Sequence, residues 1–466
     1  MPPWLSVSPA KGRLDAQGSE LTFTVDPGIL GFGMNETPVM LTANMGGETV
    51  SSPIVVVTRV DKHLLLPSAW AIGLSSTPHF ARLSQRLKVL DSFGVAASWQ
   101  ARSDAGWLRV TPSGSTGSGS ELVVEANPDT LPSGQISYAN VTILPDDARI
   151  NPVQVKVALW KGGDAPETSR WMIPYSRIVA DPLRPVVYVH NGGQAIDVYN
   201  AYTTHKVATI IEPGMIAGAM AVSPDGGTLY VYDGAASQVV TFDLQTQQKI
   251  SSWPMRKLND GPESLLVTRL NGVDLLLNSY GGVTRGEVFV GAPGLRGFVV
   301  ASANGQRIFA RRSSGEMVSV KLDYTHLFGG VLEVTGPPSE PFTAAAGSDI
   351  AVAADDSSIY TAGSGTGYCA RLDPASLMPT DHFSVQQGVA NNVEVTTDGR
   401  VVCGIRSIDL TADLWVHSAT GAVIKHRRLA GAGTALRGRS LVLTPDGNVA
   451  VALTDDSAIN FTGIGH

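Results

Sequence analysis

The chain is poor in charged residues. Only 16% of its 466 residues are Asp, Glu, Lys or Arg, whereas a typical soluble domain has about 25%. No stretch alternates Glu and Lys at helical spacing, so the composition argues against an all-α protein or a coiled coil. The net charge of −7 leaves 34 Lys and Arg diluted among 41 Asp and Glu. Because a nucleic-acid partner requires a concentrated basic face, we expect none.

Cysteine, long apolar runs and clustered histidines are also scarce. The two cysteines, Cys369 and Cys403, have no CxxC spacing, so we expect two small buried residues in a sheet and no disulfide framework. No apolar run reaches the roughly 18 residues that a membrane helix needs. The nine histidines are dispersed, and no HExxH, GxSxG, phosphate-loop or EF-hand pattern occurs. The sequence therefore predicts no transmembrane segment, no cofactor and no metal site.

Glycine and proline are abundant, with 50 Gly and 28 Pro. The hydrophobic fraction of 43% and the small net charge argue against disorder. Short alternating apolar segments, separated by turns of Gly, Pro, Asn and Ser, run along most of the chain. These features predict an all-β protein.

An internal repeat marks two copies of one domain in the first third of the chain. Each copy reads as short alternating strands separated by turns, which is typical of an Ig-like β-sandwich. The matched segments are Trp4 to Pro9 (WLSVSP) with Trp107 to Pro112 (WLRVTP), Gly18 to Pro27 with Gly119 to Pro128, and Pro38 to Thr42 with Ala139 to Ile143.

The W-L-x-V-[ST]-P start, the following Gly/Ser turn and the closing apolar strand resemble the BACON domain. That family is an Ig-like module often found beside carbohydrate-active or cell-surface domains, and the resemblance covers residues 1 to about 162. We predict a partial sandwich over residues 1–60 and a complete one over 61–163. In such a sandwich Trp4 and Trp107 are expected to fill the core, and Trp99 less so.

The first copy lacks a region that the second copy has. In the second copy the segment Arg86 to Trp99 supplies strands ahead of the Trp107 motif, whereas Trp4 is almost the first residue of the chain. We expect Met1 to fall inside a domain whose N-terminal strands, together with a secretion signal, are missing from this chain. A strand donated by another subunit, or by a distant part of the chain, is the alternative. The expected location is extracellular, periplasmic or anchored to the outer envelope.

After a Gly- and Pro-containing linker near residues 161–166, a second repeat runs to the C-terminus. Its clearest copies are Ala221 to Val231 (AVSPDGGTLYV) and Leu441 to Val451 (LVLTPDGNVAV). Each copy places a polar turn between two alternating strands, and the turn recurs about every 44 residues, which predicts seven blades of a β-propeller. The weaker turns are at Asp181, Asn271, Asn304, Asp356 and Asp398.

The S-P-D-G turn followed by T-L-Y-V-Y-D at 228–233 resembles the YVTN-type repeat of seven-bladed propellers, which are related to WD-repeat and lactonase-like propellers. The resemblance implies a seven-bladed propeller over residues 168–466, and it specifies the fold without specifying a function. The last repeat has room for three strands. We predict that Ser169 to Pro174 pairs with the C-terminal strands and closes the ring.

The mouth of the central channel is the expected binding site of a propeller. Arginines there would hold a carboxylate or phosphate, and tyrosines would stack on a sugar ring. The alternative for each residue is a solvated loop tip that bonds neighbouring carbonyl groups. The candidates are His190, Asn191, Tyr232, Asp233, Tyr280, Arg285, Arg311, Arg312, Arg406, Asp409, Arg437 and Arg439.

Three functional hypotheses follow. The leading one is a secreted or cell-envelope bacterial binding protein, in which the sandwiches act as spacers and the channel face of the propeller binds a glycan or a protein. The second is a propeller enzyme of lactonase-like or lyase type, although the residues favour binding over catalysis. The third is a structural subunit of a surface appendage.

Overall fold

Strands account for all regular elements in the described part of the chain. The computed structural model describes residues 1–13, 17–31, 33–60, 63–117, 121–255, 262–270, 272–291, 297–311, 317–322, 334–335, 349–363, 367–385, 388–406 and 412–465. No helix in these ranges is long and apolar enough to cross a membrane. The chain forms two units, Met1–His63 with Arg149–Asn151, and Leu64–Ala148 with Pro152–His466.

The first unit contains two small antiparallel sheets. The strands are β1 (Leu5–Ser8), β2 (Thr22–Val25), β3 (Gly33–Met45) and β4 (Glu48–Val60), paired as β1 with β2 and β3 with β4. Val39 is 8% exposed, whereas Met40 is 60% exposed. The sequence repeat aligned Met40 with Val141, which is fully buried in the second copy. Because side chains alternate along a strand, Val39, and not Met40, occupies the buried position that corresponds to Val141. The alignment of the two copies is therefore shifted by one residue in this strand.

The second sandwich opens the second unit. Its strands are β5 (Leu65–Pro67), β6 (Ala71–Ser76), β7 (Ala81–Arg82), β8 (Ser84–Asp91), β9 (Ser98–Ser103), β10 (Leu108–Val110), β11 (Ser113–Ser115), β12 (Glu121–Ala126), β13 (Gln135–Pro145) and β14 (Val153–Lys161). One sheet has the order β10-β12-β8-β5, and the other has the order β11-β9-β13-β14-β6-β7. β14 and β6 are parallel, and the other pairs are antiparallel.

The core of the second sandwich differs from the expectation in its tryptophans. Trp99 is 0% exposed and is among the largest fully buried side chains, whereas Trp107 and Trp4 are half-buried. Trp99 lies on β9, between the edge strand β11 and β13, so its side chain is covered from both sides. The turn-flanking Trp107 precedes β10, the edge strand of the other sheet, which leaves part of its ring exposed.

Residues 169–463 fold into four-stranded sheets. The strands are β15 (Ser169–Met172), β16 (Arg177–Ala180), β17 (Val186–His190), β18 (Ala195–Asn200), β19 (Lys206–Ile211), β20 (Ala217–Val222), β21 (Thr228–Asp233), β22 (Gln238–Asp243), β23 (Lys249–Pro254), β24 (Leu265–Leu270), β25 (Val273–Asn278), β26 (Val283–Arg285), β27 (Val288–Gly291), β28 (Val299–Ala301), β29 (Arg307–Arg311), β30 (Met317–Lys321), β31 (Val334–Thr335), β32 (Ile350–Val352), β33 (Ile359–Ala362), β34 (Tyr368–Leu372), β35 (Pro379–Ser384), β36 (Val389–Val395), β37 (Val401–Arg406), β38 (Leu414–His417), β39 (Val423–Arg427), β40 (Leu436–Leu443), β41 (Val449–Thr454) and β42 (Ala458–Gly463).

Seven sheets form a closed propeller. Blades 1 to 6 contain β16–β19, β20–β23, β24–β27, β28–β31, β32–β35 and β36–β39, and blade 7 contains β40, β41, β42 and β15. The first strand of each blade contacts the first strands of both neighbouring blades, and β16 contacts β40. The seven-bladed fold is therefore confirmed. Six of the seven predicted turn positions, Asp225 and Asp446 included, lie between the first and second strands of a blade, and the seventh, Asn271, lies outside the described residues.

Blade 7 closes the ring in the way the sequence predicts. β15 pairs antiparallel with β42, and Ser169 lies opposite Phe461 while Met172 lies opposite Ala458. β42 is the second strand from the outer edge, and all of its side chains are buried. Phe461 packs with Tyr199 of blade 1 at 5.9 Å between ring centres. Closure thus joins the two ends of the domain in one core and removes two sheet edges.

The second sandwich packs directly on the propeller. Trp160, at the end of β14, stacks on Tyr202 at 5.7 Å and shares a core cluster with strands of blades 1 and 7. A Cβ atom added to Gly73 of β6 would collide with Pro445, in the turn between β40 and β41. Lys156 forms an ion pair of 3.2 Å with Asp225, in the corresponding turn of blade 2. The sandwich therefore lies on the face of the ring that carries the turns between first and second strands.

The cysteines are buried in neighbouring blades, and they are paired. Cys369 of β34 and Cys403 of β37 form a disulfide that links blades 5 and 6, with Cα atoms 6.3 Å apart. The sequence predicted burial in a sheet, which the structure shows, but it missed the pairing. The reason is that the 34-residue separation is uninformative until the propeller fold brings the two strands together.

Candidate functional site

His190, the first predicted mouth residue, holds two blades together. It ends β17 and is 1% exposed. Its Nδ1 accepts a hydrogen bond from the Gly192 N–H at 3.0 Å, so the proton is on Nε2, which donates to the Gly218 carbonyl of blade 2 at 2.7 Å. Burial lowers the pKa of His190 to about 4, so the ring is neutral at pH 7. The imidazole bonds the scaffold through both nitrogens.

Tyr232 and Asp233, at the end of β21, are buried too. Each is 4% exposed, and Tyr232 belongs to the core between blades 2 and 3. The Asp233 carboxylate accepts hydrogen bonds from the Ile216 and Ala235 N–H groups at 3.0 and 2.9 Å. It also accepts one from Gln238 at 3.1 Å. This carboxylate orders the turns at the channel end of blade 2.

The other predicted mouth residues are distributed over several blades. Asn191, Arg285 and Arg406 are exposed, and Tyr280 is half-buried. Arg311 ends β29, where its backbone pairs with Met317. Arg312 and Asp409 lie outside the described residues. A ligand role for this set stays a prediction.

Arg437 and Arg439 are brought together on β40, the inner strand of blade 7. Arg437 donates from Nη1 to the Tyr175 carbonyl at 2.8 Å. Arg439 has a positive φ of 54° where the register of β40 shifts against β41. Its guanidinium stacks over Phe298 at 5.0 Å, and its Nη1 lies 3.8 Å from Glu263. Since Phe298 precedes the inner strand of blade 4, Arg439 reaches across the channel.

A large cavity lies at the opposite end of the channel. It is a cleft of about 1240 Å³ between the second sandwich and the propeller. One wall is formed by the sandwich strands β8 and β12 and by residues 68–73. The other is formed by the ends of inner strands and the following turns of blades 3 to 6. We call this space the interdomain cleft.

The sandwich wall of the cleft is basic. Arg82, Arg86 and Lys88 line it, together with Glu121, which binds Arg86 at 3.0 Å. Arg82 donates from Nη1 to the Asp446 carbonyl at 3.3 Å, while its buried Nε has no partner among the described residues. The charge of Lys88 acts on the carboxylate of Asp355 across the cleft.

The propeller wall contains two carboxyl groups close to one another. Asp349 precedes β32 and accepts a hydrogen bond from the Val393 N–H of β36 at 3.2 Å, which places it beside Glu394. Burial raises the pKa of Asp349 to about 7. Burial, with a smaller contribution from Asp349, raises the pKa of Glu394 well above its usual range. Asp355 and Asp398 complete the acidic side of this wall.

Arg269 links the two walls at the blade 3 side. Its guanidinium lies 5.0 Å from the centre of the Trp70 ring, which belongs to the sandwich. It also binds Asp274 at 2.6 Å and lies 3.4 Å from Asp225 of blade 2. Burial by itself would raise the pKa of Asp225, but the charge of Arg269, a Ser223 hydrogen bond, the charge of Lys156 and the Gly227 N–H together lower it to about 2. These pairs fix the width of the cleft at this end.

Sequence reasoning missed this cleft. Asp349 and Glu394 belong to neighbouring repeats, and Arg82 belongs to another domain, so no local motif contains them. A signal was present in Glu394, a charged residue between two valines of an inner strand, since such strands are mostly buried. Within the described ranges, no group of three or more His, Cys, Asp or Glu is placed to hold a metal ion.

Comparisons with known proteins agree with the sandwich assignment. Residues 83–158 match the family model described as the viral BACON domain, which confirms the resemblance for the second sandwich. Among solved structures, the chain is similar to the crystal structure of the β-propeller domain of Myceliophteria thermophila Cps50 (Swd1). The identity is 11% and the TM-score 0.48, and the match covers 64% of this chain and 100% of that chain. A comparison with curated proteins finds no match.

Proposed function

We propose that the protein binds a glycan in the interdomain cleft. The cleft itself carries this proposal. Its volume of about 1240 Å³ exceeds the roughly 300–1,000 Å³ of small-molecule sites, so the ligand it suits is an oligomer. The cleft lies between two domains joined by a shared core around Trp160, and a preformed site limits the ordering cost of binding.

The lining of the cleft suits a sugar polymer. Sugar hydroxyls both donate and accept hydrogen bonds, and the cleft offers hydroxyl, carboxyl and guanidinium groups side by side. Phe298 adds an apolar ring, of the kind on which sugar rings stack. The hydroxyl side chains are Ser68, Ser84, Thr268, Ser302, Ser357, Ser358, Thr396 and Thr397.

The proposal changes the role of the second sandwich. The sequence suggested that both sandwiches act as spacers, but the second one supplies a wall of the cleft through Arg82, Arg86 and Lys88. In this proposal the exposed mouth residues, such as Arg285 and Arg406, do not contact the glycan. The proposal keeps the glycan that the sequence suggested as a ligand, but it places the binding site at the other end of the channel.

The test is a glycan array followed by calorimetric titration of three proteins. Ala354 is exposed and lines the cleft, so Ala354→Trp should obstruct it. Ala422 is exposed in blade 6 and is absent from the cleft lining, so Ala422→Trp is the matched control. We expect the wild type and the control to bind the same glycan, and Ala354→Trp to bind it at least tenfold more weakly. Equal binding by all three proteins, or no glycan bound by any, would overturn the proposal.

A hydrolase acting on the same glycan is a second candidate. The observation that favours it is the pair Asp349 and Glu394, since glycoside hydrolysis uses two carboxyl groups, one of them with a raised pKa. Reducing-end release from the bound glycan would be measured for the wild type, Asp349→Asn and Glu394→Gln. Release that either substitution abolishes would support the enzyme. A wild type without release would leave binding as the function.

We also propose an oxidising, extracellular or envelope location. The Cys369–Cys403 disulfide supports it, because such bonds persist mainly outside the cytosol. The matched family is described as viral, which is compatible with a particle surface as well as with the bacterial envelope expected from sequence. Thiol titration of protein purified without reductant and unfolded in denaturant should find no free cysteine, and two free thiols would count against this location.

A further inference from the structure

The two walls of the interdomain cleft carry ionisable groups of opposite kind, basic on the sandwich and mainly acidic on the propeller. The sandwich wall presents Arg82, Arg86 and Lys88, and its one acidic residue, Glu121, is paired with Arg86. The propeller wall presents Asp349, Asp355, Glu394 and Asp398.

The cations on the propeller wall are already paired. Arg269 is held by Asp274 at 2.6 Å, and Arg371 donates to Asp381 at 3.1 Å. Arg400, which does not line the cleft, binds Asp398 at 3.1 Å, so the Asp398 carboxylate is paired as well. The propeller wall therefore offers acceptors to a ligand, whereas the sandwich wall offers donors.

Glu394 is the acidic group with the fewest partners. Among the described residues, burial and the neighbouring Asp349 are what act on its carboxyl group. Asp349 in turn faces the Val393 N–H of blade 6 and the charge of Arg439 from blade 7. Because burial disfavours the charged form, Glu394 holds its proton at neutral pH, and Asp349, whose pKa is raised to about 7, is protonated in about half of the molecules. An ammonium group brought beside them would favour ionisation, and the protons would leave to solvent.

On the sandwich wall, donors remain available. Lys88 is exposed on this wall, and its charge acts on Asp355 across the cleft. The Arg86 side chain is 73% exposed despite its contact with Glu121. A carboxylate on the ligand would form charge-assisted hydrogen bonds with such groups, which are shorter and stronger than neutral ones.

We infer that the ligand is a zwitterionic glycan, with free amino groups facing Asp349 and Glu394 and carboxylates facing Arg82, Arg86 and Lys88. This inference rests on the proposed function and specifies its ligand class. A neutral glycan would offer no carboxylate to the basic groups of the sandwich wall and no ammonium group to Asp349 and Glu394. A purely acidic or purely cationic one would satisfy one wall and face the other unpaired.

Four oligosaccharides of equal length test the inference by titration calorimetry. They are alternating glucuronic acid and glucosamine (zwitterionic), alternating glucuronic acid and N-acetylglucosamine (acidic), a glucosamine oligomer (cationic) and an N-acetylglucosamine oligomer (neutral). We expect the zwitterionic oligomer to bind at least tenfold more tightly than each of the others. At pH 7, titrations in two buffers of different ionisation enthalpy should show protons released on binding.

Two variants separate the walls. Glu394→Gln should weaken the preference for free amino groups and reduce the proton release to the part that Asp349 supplies, while the preference for carboxylates stays. Lys88→Gln should weaken the preference for carboxylates and leave proton release unchanged. Glycan binding that Ala354→Trp abolishes, but that shows no charge preference, would overturn this inference and leave the proposed function standing. Absence of binding by every glycan would overturn both.

Discussion

Arg439 and Phe298 meet across the channel of the propeller. The guanidinium carbon of Arg439, from blade 7, lies 5.0 Å from the centre of the Phe298 ring, from blade 4. Arg439 adopts a positive φ of 54°, a conformation that non-glycine residues hold only when their surroundings enforce it. Phe298 lines the interdomain cleft. Arg439, which the sequence placed at the channel mouth, therefore supports the inner end of that cleft, although the cleft opens on the opposite face of the propeller.

Arg439→Met tests the strength of this contact. The substitution keeps an unbranched chain but removes the charge, so it removes a partly buried cation–π contact worth about 1 kcal/mol. We expect urea unfolding to show a loss of that size. Arg285→Met, at an exposed position, is the control and should change stability by less than about 0.5 kcal/mol. Equal effects of the two substitutions would contradict the contact.

Phe461→Ala tests ring closure. Phe461 is fully buried in β42, between β41 and β15, and truncation of such a side chain costs about 3–5 kcal/mol. Met172, on β15 and 64% exposed, provides Met172→Ala as the comparison, with little expected effect. Chemical denaturation of both variants is the measurement. A stable Phe461→Ala protein would show that the closing blade contributes little to the fold.

Gly73→Ala tests the docking of the second sandwich. The added Cβ would collide with Pro445 and approach the Leu183 carbonyl, so the sandwich must move away from the propeller. Overpacking of this kind costs about 1–3 kcal/mol. Gly163→Ala is the control, because its Cβ would meet open space. We expect faster proteolysis near residues 163–168 and weaker glycan binding for Gly73→Ala alone; unchanged behaviour of both variants would contradict the docked arrangement.

Asp349→Asn tests the raised pKa of the buried carboxyl group. Its pKa of about 7 lies above the unfolded value of 3.8, so the folded state keeps a proton that the unfolded state releases between about pH 4 and pH 7. Wild-type stability should therefore fall across that range, by about 1.4 kcal/mol for each unit of displacement. Asparagine carries no charge and can still accept from the Val393 N–H. The stability of the variant relative to the wild type should therefore increase as pH rises.

Chemical denaturation of both proteins at pH 4 and pH 8 measures that difference. Asp225 provides the control, because its pKa is lowered to about 2 and the folded state therefore favours its charged form. Asp225→Asn should thus be less stable than the wild type at pH 8. A stability difference between wild type and Asp349→Asn that is the same at both pH values would show that Asp349 titrates normally.

Local sequence patterns predicted the architecture because the same pattern is repeated in each blade. The turn around Asp225 recurs in every blade, and the segment from Ser169 closes the ring because the last repeat lacked a fourth strand. The cleft was beyond such patterns. Arg82 and Glu394 are separated by some 300 residues and by a domain boundary, and only docking of the sandwich brings their strands to one cavity. The burial of His190 was beyond them for a related reason, since the sequence does not show whether a histidine at the end of a strand bonds a carbonyl of the next blade.

Hydrogen exchange with and without the bound glycan tests the central claim, that the ligand lies in the interdomain cleft. The cleft account predicts added protection in β8 at residues 84–88 and in the turns at 354–358 and 396–399. It predicts no change at the channel mouth, at 190–193 and 232–235. Protection confined to the mouth loops, with the cleft segments unchanged, would contradict it.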